Sequence, residues 1–192
     1  MAKKESSFVN MLVTLLAVTA IAALALGGVY TVTKEPIELA KRAKMERALG
    51  EVLPEFDSIM EYKVMPDNGK DSLTFFDAYD DRKWVGTAIR TYTDQAYGGR
   101  FWIMVGLEPG AVVQSTAVLE AKETPGLGDK MYKSKSDWPR QFEDKDLDEF
   151  TLKVRKDGGD VDAITAATIT SRAFCDAMQR AYNEFKERKE DK

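Results

Sequence analysis

Residues 101–119 read FWIMVGL-EPG-AVVQSTAVL, and this stretch decides the fold class. Two runs of aliphatic, aromatic and β-branched residues flank Glu108, Pro109 and Gly110, which are typical of a tight turn. The pattern predicts two neighbouring antiparallel strands, over residues 101–107 and 111–119, joined by that turn.

Four more strand-like runs lie outside this pair, over residues 62–65, 73–79, 83–93 and 150–155. No long helical pattern separates them, so a doubly wound parallel sheet is not expected. The sequence therefore predicts an α+β fold that combines an antiparallel sheet with helices at both ends of the chain.

Two helices are predicted at those ends. The first is predicted over residues 37–49, because Pro36 is suited to the first turn of a helix and Gly50 to the position just past its end. Residues 169–189 form an amphipathic pattern whose apolar residues repeat at helical spacing. This apolar face comprises Phe174, Met178, Ala181, Tyr182 and Phe185.

An uncharged apolar stretch precedes both helices. No charged residue occurs from Ser6 to Thr33, and residues 8–30 are long enough to cross a bilayer. A cleaved signal peptide is the alternative, since Ala23-Leu24-Ala25 offers a cleavage site, but the apolar run continues to Val32 and favours a retained anchor. Basic residues occur on both sides of the stretch, so their count leaves its orientation open.

The composition of the chain excludes several classes of function. The chain has 192 residues, a formal net charge of −4, no histidine and one cysteine, Cys175. Histidine-based catalysis and an intramolecular disulfide are excluded, and a nucleic-acid partner is not expected of an acidic chain. The acidic run over residues 143–149 is interpreted as a solvated loop, so no metal site is predicted.

Residues 162–171, DAITAATITS, place several hydroxyls where the last helix begins. One interpretation is helix capping by Thr165 or Thr168. The other is an anion site, because free N–H groups and the helix dipole favour a phosphate there.

Residues 123–130, ETPGLGDK, form the second motif. Its proline and glycines indicate a shaped loop that can approach a flat ligand closely. An ordinary connecting loop is the alternative.

Together the two motifs resemble the FMN-binding domain of the G subunit of Rnf-type electron transport complexes, which the C subunit of the sodium-pumping NADH:quinone oxidoreductase shares. The family's flavinylation motif, D-x-x-(S/T)-G-A-T, is matched at Asp162, Thr165, Ala167 and Thr168. Its ETPGLG signature is matched over residues 123–128, and a Tyr-Gly-Gly segment at residues 97–99 is a lesser similarity. With the anchor, the resemblance covers essentially the whole chain.

The resemblance implies that FMN is attached through its phosphate to Thr168 by a separate flavin transferase. It also implies that the ETPGLG loop lies against the flavin ring, with Leu127 as the apolar contact. The remaining residues expected at the cofactor are Glu123, Thr124, Pro125, Gly126, Asp162, Thr165, Ala167, Ile169 and Thr170. No residue is expected to be catalytic on its own.

The family further implies an electron-carrying subunit of a bacterial inner-membrane complex that couples ferredoxin–NAD electron transfer to ion translocation. Residues 1–33 would be a short cytoplasmic tail and a transmembrane anchor, and residues 34–192 an extracytoplasmic FMN-binding domain contacting other membrane subunits. The alternatives are the paralogous quinone-reductase subunit and a non-flavinylated anchored interaction domain.

Two departures from the family pattern bear on this interpretation. Ala166 stands where the family usually has glycine, and an alanine would be strained there if the backbone has a positive φ. Ala121 and Lys122 stand where the family often has a histidine, so no role of that histidine transfers to this chain.

Overall fold

The computed structural model of the chain describes residues 7–66 and 69–190. Within these ranges two α-helices flank one antiparallel sheet, which confirms the α+β prediction. The elements are α1 (Phe8–Val52), β1 (Ser58–Val64), β2 (Leu73–Asp80), β3 (Lys83–Thr93), β4 (Phe101–Leu107), β5 (Val113–Glu120) and α2 (Thr168–Glu190). Short 3₁₀ helices cover Gly128–Met131, Trp138–Phe142 and Arg155–Asp157.

The chain divides into two compact units, Met1–Lys44 and Met45–Lys192. In the first unit, residues 8–44 are helical and exposed along their whole length, as a core helix would not be. In the part of the chain that the structure describes, α1 is the one helix long and apolar enough to cross a membrane. The predicted tail residues Lys3, Lys4 and Glu5 lie outside the described residues.

Both predicted boundaries of the 37–49 helix were wrong, because α1 runs without interruption through Pro36 to Val52. A proline inside a helix removes one backbone hydrogen bond, and the strong helical pattern on either side outweighs that loss here. The helix continues past Gly50 and ends two residues before Pro54, since a proline disfavours helical geometry in the residue before it.

The sheet of the second unit has the order β1-β2-β3-β4-β5, and every neighbouring pair is antiparallel. Strands β3 and β4 have the predicted bounds. Strand β5 starts at Val113 because Ala111 still belongs to the turn, with φ +67° and its N–H donated to the carbonyl of Glu108.

The strand predicted over residues 150–155 was wrong. Leu152 and Val154 are buried in the core, which produces the alternating pattern, but Val154 makes only an isolated bridge with Val161. Residues 144–147 instead pair with the start of β5 and the turn before it, since Asp144 donates its N–H to Val113 and Leu147 donates to Ala111. In the described part of the chain, residues 150–155 make no ladder with β5.

Each face of the sheet is covered by one helix segment. The predicted apolar face of α2 is buried against one side, with Phe174 and Met178 fully inaccessible. The last residues of α1 pack on the other side, where Val52 lies so close to Gly106 that a side-chain carbon there would fall 1.7 Å from the Val52 carbonyl oxygen. This packing fixes the sheet between two helices and leaves the start of α2 at one end of it.

Candidate functional site

A cleft of about 540 Å³ lies where α2 begins. Three segments form it, namely the loop between β3 and β4, the ETPGLG loop after β5, and the first turn of α2 with the residues before it. Its lining residues are Tyr97, Glu123, Thr124, Leu127, Gly128, Ala166, Ala167, Thr168, Ile169 and Thr170.

The amino end of α2 opens onto this cleft. Thr168 is the first helical residue, and Ser171 donates its N–H to the carbonyl of Ala167 at 3.1 Å. The N–H groups of Thr168, Ile169 and Thr170 precede that bond, and the first N–H groups of a helix have no acceptor within it. With the helix dipole, they make this end of the cleft favourable for an anion.

The turn before the helix is held by Ser171. Its hydroxyl accepts the N–H of Ile164 at 2.9 Å and donates to the carbonyl of Ala167 at 3.1 Å. This turn places Ala166 at φ +62°, in the left-handed region that favours glycine. The strain expected for an alanine at this position is therefore present.

Glu123 joins the three segments of the cleft. Its Oε1 accepts the N–H of Gly98 at 2.9 Å, and its Oε2 accepts the hydroxyl of Thr170 at 2.6 Å. A carboxylate oxygen accepts such bonds strongly because it is charged. One side chain thus connects the ETPGLG loop to the β3–β4 loop and to α2.

Large apolar side chains are exposed around the cleft. Tyr97 is 72% exposed, Leu127 39% and Ile169 48%. Outside α1, the only other large hydrophobic residues exposed in the described ranges are Met60 and Met65. Apolar exposure concentrated in one concave site is typical of a ligand-binding surface.

The structure brings seven of the eleven predicted cofactor residues to the cleft: Glu123, Thr124, Leu127, Ala167, Thr168, Ile169 and Thr170. Pro125, Gly126 and Thr165 do not contribute to its lining. Asp162 also lies outside it, where its carboxylate pairs with Arg155 at 2.8 Å and its carbonyl accepts the indole N–H of Trp138 at 2.5 Å.

Sequence reasoning left three lining residues out of the predicted site. Tyr97 belongs to the Tyr-Gly-Gly segment, Gly128 ends the ETPGLG signature, and Ala166 is the departure from the family pattern. Tyr97 could have been identified from its position next to two glycines, because an exposed aromatic residue on a glycine turn commonly contacts a ligand or partner.

Residues 96–183 match the FMN-binding domain family, and this segment contains every lining residue of the cleft. The site and the fold thus define a protein with an FMN-binding domain that follows an apolar helix in the chain.

Three relatives share a more specific description, the G subunit of an ion-translocating oxidoreductase complex. The Aliivibrio fischeri (strain MJ11) protein is 34% identical over 200 aligned residues, which cover 98% of this chain and 92% of that protein. The Haemophilus influenzae (strain PittEE) protein is 32% identical over 164, covering 80% and 78%. The Escherichia coli (strain K12) protein is 39% identical over 119, covering 60% and 58%. The chain belongs to this family of G subunits of ion-translocating oxidoreductase complexes.

The cleft has the size and chemistry that FMN requires. Its volume is within the range of small-molecule sites, roughly 300–1,000 Å³. The helix start suits a phosphate, while Tyr97, Leu127 and Ile169 present apolar surface to a planar ring. These residues would hold the cofactor when it is bound.

Proposed function

We propose that the chain is a membrane-anchored electron-carrier subunit that holds FMN through a phosphoester on Thr168. Bound FMN supplies reversible acceptance and donation of electrons, and the chain's own residues bind, orient and shield it. The observation that carries the proposal is the position of Thr168, a lining residue of the cleft and the first residue of α2.

The other motif hydroxyls are less suited to attachment. Thr170 is 2% exposed and its hydroxyl is already donated to Glu123, while Thr165 does not contribute to the lining. Thr168 is partly exposed and no side-chain hydrogen bond occupies its hydroxyl within the described residues. A phosphodiester on Thr168 would retain one negative charge at the end of the helix that favours it.

The carrier is proposed to act in a bacterial inner-membrane complex that couples electron transfer between ferredoxin and NAD to ion translocation. Helix α1 is the proposed anchor, and the FMN-binding domain is proposed to be extracytoplasmic. A flavin transferase would act once, during maturation. The description shared by the three relatives supports this assignment over the paralogous quinone-reductase subunit.

Intact mass tests the attachment. Chain purified from its native host should carry the mass of FMN minus water, and Thr168→Val should lose that increment while remaining folded. Thr151→Val is the matched control, since it removes the hydroxyl of an exposed threonine outside the cleft and outside both motifs, and it should stay flavinylated. An unmodified native chain, or FMN retained in Thr168→Val, would refute the assignment and favour a non-flavinylated interaction domain or another attachment residue.

Cysteine labelling tests the topology. In a Cys175→Ser background, Glu149→Cys places a new thiol on an exposed loop residue. A membrane-impermeant reagent should label it in intact spheroplasts. Labelling that requires lysis would place the domain in the cytoplasm.

A further inference from the structure

The loop between β3 and β4 is closed at its base by an ion pair. Asp94 directly follows β3 and Arg100 directly precedes β4. The guanidinium contacts both carboxylate oxygens, with Nε–Oδ1 at 2.6 Å and Nη2–Oδ2 at 3.0 Å. Paired contacts of this kind fix direction as well as distance.

Arg100 is held from two further sides. Its Nη1 lies 3.1 Å from Oδ2 of Asp71, and its guanidinium carbon lies 4.4 Å from the ring centre of Tyr92. Tyr92 is 1% exposed and its hydroxyl accepts the N–H groups of Lys70 and Asp71, so the ring is itself fixed. The arginine is therefore preorganised for Asp94, which lowers the entropic cost of forming the pair.

The tip of the same loop reaches the cleft. Tyr97 stands in the cleft lining, and Gly98 donates its N–H to Glu123. A side-chain carbon at position 98 would lie 1.9 Å from the carbonyl oxygen of Lys122, so the two backbones are in direct contact. The tip of the loop is therefore part of the surface that contacts the ETPGLG loop.

Helix α2 anchors the first half of the loop. Asp176 accepts the hydroxyl of Thr93 at 2.7 Å and the side-chain amide of Gln95 at 3.0 Å. The second half has no such bond to α2 in the described residues; it is held by Arg100 at its base and by the bond from Gly98 to Glu123 at its tip. The two halves are thus held by different carboxylates.

We propose that Asp94 and Arg100 are positioning residues for the cofactor cleft. Their ion pair holds the loop so that Tyr97 lines the cleft and Gly98 bonds to Glu123. The inference rests on the proposed function for the identity of the ligand, but the geometry of the loop is independent of it. The pair does not touch the cleft and acts through the tip of the loop.

Hydrogen–deuterium exchange on the full chain in detergent tests the loop without FMN, using the Thr168→Val background. Arg100→Gln and Asp94→Asn should each speed exchange in the 94–100 peptide by roughly fivefold, as expected when an exposed but bidentate pair is removed. Arg100→Lys keeps the charge and should restore part of the protection. Lys186→Gln is the matched control, since it breaks a 2.7 Å ion pair with Asp148 far along α2 and should leave the peptide unchanged.

The flavin-bearing chain supplies the second measurement. Arg100→Gln should keep its FMN by mass yet shift the visible absorption or the reduction potential of the flavin, whereas Lys186→Gln should shift neither. Unchanged exchange in the peptide, faster exchange across the whole domain, or an unaltered flavin would each overturn the positioning role. A wild-type chain without FMN would refute the proposed function instead, and the exchange rates would still decide whether the pair fixes the loop.

Discussion

Replacing Ala166 with glycine should stabilise the domain. Ala166 has φ +62°, a conformation that costs an L-residue about 1–2 kcal/mol and costs glycine almost nothing. Glycine also loses more backbone entropy on folding, and this loss offsets about 0.5–1 kcal/mol of the stabilisation. The midpoints of these two ranges leave a net gain of about 0.75 kcal/mol, equivalent to a rise of about 1.5–3 °C in Tm for a domain of this size.

Thermal unfolding followed by circular dichroism on the full chain in detergent measures this gain. The Thr168→Val background removes any contribution from bound FMN. Ala167→Gly is the control, because Ala167 is adjacent, 8% exposed and absent from the residues with positive φ, so glycine there should lower Tm. A Tm for Ala166→Gly equal to or below that of its parent would show that the turn carries no relievable strain.

Three further outcomes follow from the site and the core. Leu127→Ala should leave FMN attached by mass but shift its visible spectrum, because an apolar contact is lost while Thr168 is intact; an unchanged spectrum would place Leu127 away from the ring. Glu123→Gln should lower the free energy of unfolding by about 1–3 kcal/mol in denaturant titrations, since an amide cannot accept from Gly98 and Thr170 through both of its ends; an unaltered midpoint would contradict the bridging role. Burial raises the pKa of the Cys175 thiol to about 12, so alkylation at pH 8 should be slow in the folded chain and become rapid in denaturant; rapid labelling of the folded chain would show that the thiol is accessible.

Strong local patterns predicted most of the fold. Strands β3 and β4 have uninterrupted apolar and β-branched runs with clear turns, and both were predicted without error in their bounds. Strand β1 was predicted four residues short at its start, because its exposed residues at the edge of the sheet show little alternation. The failure at residues 150–155 has a different cause, since alternation reports burial and cannot report whether a partner strand is available.

The sequence predicted only those parts of the site whose functional residues are close together in the chain. The hydroxyls around Thr168 and the loop at Leu127 were identifiable as motifs because each is a short segment. The connection of Glu123 to Gly98 and Thr170 joins positions 25 and 47 residues apart, so no local pattern contains it. The left-handed backbone at Ala166 was anticipated only from the glycine that the family has there.

The packing of Val52 against Gly106 also determines where a protease could release the domain. Lys41, Arg42 and Lys44 are exposed on a helix and are all cleavable by trypsin-like enzymes, and a cut at any of them leaves the fragment from Met45 onward intact. That fragment keeps Ala48, Val52 and Leu53, which cover Phe76 and Met104. A fragment beginning after Leu53 would expose that apolar face to water and should aggregate. A water-soluble fragment that contains the FMN-binding domain must therefore retain the last two turns of α1.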